Sequence, residues 1–65
     1  MNDREKLKSL LHHWLEHNHE HAEVYSEWAK KASAIGNEEL SRILVHLSKE
    51  TERLDNLLQK ALTVV

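Results

Sequence analysis

One tripeptide, Ile35-Gly36-Asn37, is the clear break in a 65-residue chain that otherwise reads as helix from end to end. Glycine suits the left-handed position just past a helix end, and asparagine is a favoured N-cap. Glu38 and Glu39 then fall in the first turn of a second helix, where the helix dipole favours negative charge. Before the break, Leu7, Leu11, Trp14, Tyr25, Trp28, Ala32 and Ile35 mark an amphipathic stripe with helical spacing. After it, the stripe runs through Leu40, Ile43, Leu44, Leu47, Leu54, Leu57, Leu58, Ala61 and Val65. Asn2 followed by Glu5 has the spacing of a capping box at the chain start. The expected fold class is all-α: an αα-hairpin with helices over about 3–34 and 38–63, forming a single domain over 1–65. Each stripe is wider than one neighbouring helix can cover, and the first contains both tryptophans. Two hairpins pairing into a homodimeric four-helix bundle would cover all of it.

Composition narrows the function classes. Cysteine is absent, which removes disulfides, thiolate metal sites and thiol catalysis. Proline is absent too, and Gly36 is the one glycine, too few breakers for a turn-rich β protein. Apolar runs of two or three residues provide no membrane span or secretory signal, so a cytoplasmic chain without membrane association is expected. Nine basic against eleven acidic residues give no electrostatic case for nucleic acid.

The informative oddity is six histidines, five of them between His12 and His21. At about 100° per residue, His21 falls within about 20° of the stripe centre, His17 about 60° to one side and Asn18 about 40° to the other. The stripe therefore turns polar there. The second helix has a matching interruption at Glu50 and Thr51. In a hairpin turning near Gly36, His21 lies level with Glu50 and Thr51, and Asn18 with Leu54.

That coincidence points to a metal site. His17 and His21, four apart, place their Cβ atoms roughly 6 Å from each other on one face. Two neutral imidazoles can chelate one ion, and Glu50 or Glu20 could complete a nitrogen/oxygen set. His13 extends the series as His-x3-His-x3-His, although His13 and His21 stand about 12 Å apart along the axis. In a dimer, a two-fold copy could supply further ligands. The alternative is a buried histidine hydrogen-bonded to Glu50 or Thr51, a polar layer that fixes register without metal.

Other clusters carry less. His12, Glu16, His19 and Glu23 form a stripe opposite the expected core and read as a solvated face. His46 lies at the edge of the second stripe, one turn before Glu50. Trp14, Tyr25 and Trp28 stand at core spacing and read as core aromatics. Glu16-x-x-His19 has the spacing of a di-iron motif, but both residues point away from the expected core and the second helix has no counterpart. Haem would lack a Cys-x-x-Cys-His attachment and be crowded by the tryptophans. With no phosphate-binding loop and no recognisable nucleophile, enzymatic activity is not expected.

The stretch from His13 to Glu23, followed by Trp28-Ala29, resembles a family of short helical-hairpin domains with a His-Trp-x-Glu-His-Asn-x-x-His-Ala pattern. Domains of that family occur alone or appended to small nickel-binding accessory proteins of carbon-monoxide dehydrogenase maturation. His13, His17, Asn18 and His21 match position by position, whereas His19 stands where the pattern has an acidic residue. The resemblance implies nickel or another transition metal as ligand, and a metalloenzyme maturation protein as partner. The expected function is a small metal-binding dimer for nickel, zinc or a similar divalent ion, in storage or delivery. The competing expectation is a dimerisation module whose buried His/Asn/Glu layer sets register alone. Placing His21 in the bundle interior as a neutral ring predicts stability that is lost on acidification; an imidazolium held by Glu50 reverses the sign.

Overall fold

The computed structural model describes residues 2–65. Helix α1 spans Asp3–Ala34 and helix α2 spans Glu38–Val64, packed side by side as an antiparallel hairpin. The Asn2 side chain accepts a hydrogen bond from the Glu5 backbone N–H, the first half of the expected capping box. At the turn, Gly36 takes φ 87°. The Gly36 N–H donates to the Ser33 carbonyl and the Asn37 N–H to the Ala32 carbonyl, the paired bonds of a Schellman motif. Asn37 then caps α2 by accepting from the Leu40 N–H. The break thus ends one helix and starts the next within three residues.

The seam between the helices differs from the expected stripe. On α1 the covered positions along the seam are Leu11, Leu15, Asn18, Ala22, Tyr25, Ala29 and Ala32, with Ser33 half-buried beside them. On α2 and its C-cap they are Ser41, Leu44, Ser48, Thr51, Asp55, Leu58, Leu62 and Val65, with Ala61 half-buried beside them. Both series alternate spacings of three and four, the heptad seam of a coiled coil. Its middle is built from small residues, with Ala22 and Ala29 each 2% exposed. Their size lets the backbones approach closely enough for short hydroxyls to bridge them. Ser48 Oγ donates to the Ala22 carbonyl at 2.7 Å, and Ser41 Oγ to the Ala29 carbonyl at 2.8 Å. Seven residues apart on both helices, these bonds are two rungs of one ladder.

Leu7, Trp14, Trp28 and Ile35, expected as core, are instead exposed on the hairpin, with Trp14 at 45% and Trp28 at 53%. Ile43, Leu47, Leu54 and Leu57 are exposed likewise. The physical reason is that one antiparallel neighbour covers a narrow stripe. The alanine and serine stripe packs closer than the tryptophan stripe and takes the interhelical position. The large side chains are displaced to one flank. In an antiparallel pair, the positions just before each first core position of the heptad lie on the same side of both helices. That row reads Leu7, Trp14, His21, Trp28 and Ile35 on α1, and Leu40, Leu47, Leu54 and Ala61 on α2. The other flank carries His12, His19, Ser26 and Ser33 against Val45, Glu52 and Gln59. The hairpin is two-sided, with a wide apolar face and a polar one.

No helix among the described residues is long and apolar enough to cross a membrane.

Candidate metal site on the apolar face

His13, His17 and His21 climb α1 one turn at a time, followed by Tyr25. Ring centroids are 4.6 Å apart between His13 and His17, and 6.0 Å between His17 and His21. The His21 ring stacks on Tyr25 at 6.0 Å with 20° between the planes. His13, Trp14, His17, Asn18 and His21 line one wall of an open groove, with Leu54, Leu57 and Leu58 as the other wall. His17 and His21 thus sit among tryptophan and leucine rather than among charges. A helix supplies this spacing whatever surrounds it. What the fold adds is the apolar opposite wall and the stacked Tyr25, while both rings stay exposed on the single hairpin.

The other expected ligands are placed differently. His21 is exposed on the hairpin face, not enclosed between the helices. The Ser48–Ala22 register places Lys49 level with His21 and Glu50 one residue beyond, and the Glu50 carboxylate pairs with Arg53 Nη1 at 3.2 Å. Glu20 lines the opposite groove with His12, Leu15, Glu16, His19, Asp55 and Gln59. In that groove His19 Nε2 lies 3.3 Å from Glu23 Oε1, and His19 Nδ1 lies 3.9 Å from Asp55 Oδ2. His46 is exposed on α2. Within one hairpin, no group of three or more histidine or acidic side chains converges on a common point among the described residues.

The enclosed polar layer is a different set from the expected one. Asn18 Nδ2 donates to the Thr51 carbonyl and to Asp55 Oδ1, each at 2.6 Å. The Thr51 hydroxyl donates to the Leu47 carbonyl on its own helix, not to His21. Asn18, Ser48, Thr51 and Asp55 therefore set the register of the pair, and no buried side-chain polar atom is left without a partner among the described residues. Asp55 and both serines escaped the sequence reading, because that reading followed the largest apolar residues. The heptad series Ser41, Ser48, Asp55 and Leu62 was the signal that marks them.

Comparison with known proteins places these features in a family. The sequence profile of the domain of unknown function DUF8180 matches residues 7–65. An uncharacterized protein of Archaeoglobus fulgidus is 34% identical over 61 residues, covering 94% of this chain and 97% of that protein. No solved structure matches the chain.

Proposed function

The chain belongs to the DUF8180 family, and we propose that it works as a homodimeric four-helix bundle that binds a divalent transition metal for storage or delivery. The observation that carries this reading is the place of His17 and His21, in the middle of an exposed apolar face. The hairpin exposes 5215 Å², roughly 900 Å² more than the roughly 4300 Å² expected of a compact monomer of its mass. That surplus is on the scale of the roughly 800 Å² each partner buries in a standard interface. The radius of gyration, 15.3 Å against about 11 Å for a compact chain of this length, reports the same elongation. A second hairpin laid on the face measuring 51 by 17 Å buries the tryptophans and carries the histidines inside.

Imidazole ligands without thiolates suit nickel or zinc, with moderate and reversible binding. Nickel is the first ion to try, given the resemblance to domains appended to nickel-binding accessory proteins. A metalloenzyme maturation protein in the cytoplasm is the matching recipient. The role is carriage, not catalysis.

One observation favours the second reading, a dimerisation module without metal: the Asn18–Asp55 layer already fixes register inside each hairpin. Calorimetric titration of chelator-treated protein with Ni²⁺ and Zn²⁺, alongside light scattering, separates the two. Stoichiometric heat that His17→Ala and His21→Ala abolish supports carriage. A dimer with no such heat leaves the interaction module.

A further inference from the structure

The apolar row of α1 is a near-palindrome about one residue. Leu7, Trp14, His21, Trp28 and Ile35 recur every seven positions, with a tryptophan on each side of His21 and a branched aliphatic beyond each tryptophan. On α2, Leu40, Leu47, Leu54 and Ala61 straddle Glu50 in the same way. A two-fold axis lying in the face, perpendicular to the helices and crossing α1 between His17 and His21, brings like side chains of two copies together. His17 then faces the partner's His21, and Trp14 lies within about one turn of the partner's Trp28. The midpoint between His17 and His21 is also close to the middle of α1, so full overlap of the two hairpins and superposition of the histidine layers coincide.

We propose that His17 and His21 are half of a metal site, and that the same two residues of a second copy complete it at the two-fold axis. This rests on the metal-binding reading above and specifies where the remaining ligands come from. Among the described residues, one hairpin brings no third ligand to the pair, whereas zinc and its relatives take four ligands in a tetrahedron. Four neutral imidazoles leave the ion's two positive charges uncompensated in an apolar interface. Glu50, one residue past the level of His21 on α2, is paired with Arg53 in the single hairpin. Released from Arg53, two such carboxylates balance the ion, acting as charge partners of the imidazoles rather than as ligands. Metal and dimer are then linked, since whatever binds only the dimer stabilises it.

The test uses full-length, chelator-treated protein titrated with Zn²⁺, and with Co²⁺, whose visible d–d bands report tetrahedral geometry. The expected stoichiometry is one ion per two chains, with metal lowering the dimer dissociation constant by about tenfold or more in sedimentation equilibrium. Subunit mixing gives a second readout that does not depend on a monomeric variant folding. Wild-type chain is mixed equally with a chain carrying His17→Ala and His21→Ala and allowed to exchange. A composite site retains about a quarter of the wild-type capacity, because random pairing leaves only that share of dimers intact. Sites complete within one chain retain about half. Glu50→Gln is expected to weaken binding about ten- to a hundredfold while keeping the tetrahedral Co²⁺ spectrum. One ion per chain with half retention on mixing overturns the composite site and leaves metal binding standing. Absence of stoichiometric Zn²⁺ and Co²⁺ binding overturns both.

Discussion

The Ser48 hydroxyl donates to the Ala22 carbonyl oxygen at 2.7 Å across the hairpin. A serine side chain is short, so this bond requires the two backbones to lie close together. Ala22, 2% exposed, is what allows that approach. Ala22→Leu is therefore expected to wedge the helices apart and cost about 1–3 kcal/mol, as overpacking does. Ser48→Ala keeps the spacing and loses one hydrogen bond, for about 1 kcal/mol. Thermal unfolding at fixed protein concentration ranks the two, and a leucine variant as stable as the alanine one would disprove the close approach.

The Asn18–Asp55 bond makes a prediction about coupling rather than about a single residue. Replacing Asn18 by Leu strips the donor from a part-buried carboxylate, and replacing Asp55 by Leu leaves the Asn18 amide with only the Thr51 carbonyl. Each single change should destabilise by about 1–3 kcal/mol, because a desolvated polar group loses its partner. The double change removes both groups together and should cost clearly less than the two added. A double-mutant cycle by chemical denaturation measures that difference, and strict additivity would mean the pair contributes nothing as a pair.

Gly36 tests the turn. Its φ of 87° is a backbone state that residues with a Cβ rarely adopt, yet a Cβ added there would meet nothing within 4 Å. Gly36→Ala is thus a strain experiment without a clash, with an expected loss of about 1 kcal/mol. Asn, which tolerates the left-handed region better, should recover part of it. Equal stability of the three chains would show that the Schellman turn is not required.

Acidification tests whether the histidine face is covered. Around His17 and His21 the titratable neighbours are His13 and Tyr25 on the same helix; across the hairpin the same level carries Lys49 and Glu50, the latter paired with Arg53. Imidazolium rings carried into an apolar interface lose hydration and repel their two-fold mates. With chelator present, lowering the pH from 7.5 to 5.5 should shift sedimentation toward single hairpins and lower the melting midpoint. Positive charge entering an apolar interface is unfavourable whichever ring carries it, so a dimer paired through this face is favoured at high pH and weakened as pH falls. A dimer that tightens at pH 5.5 would indicate that Glu50 leaves Arg53 to hold charged histidines.

Local chemistry determined the helices. Asn2, Gly36 and Asn37 act through caps and one backbone torsion, interactions that close within three to five residues of sequence. The expected bounds accordingly agree with Asp3–Ala34 and, to within a residue at the end, Glu38–Val64. The i,i+4 spacing of His17 and His21 was legible for the same reason, since a helix alone fixes it.

Which face of each helix turns inward is a tertiary decision, and size ranking misread it. The sequence marks two stripes on α1, one of large residues through Trp14 and Trp28 and one of small residues through Ala22 and Ala29. Hydrophobicity favours the first as core. Close backbone approach, with serine-to-carbonyl bonds bridging the helices, favours the second, and those bonds exist only once α2 is in place. The small stripe therefore forms the seam, Asn18 rather than His21 is enclosed, and the tryptophans are left on an open face with the histidines between them.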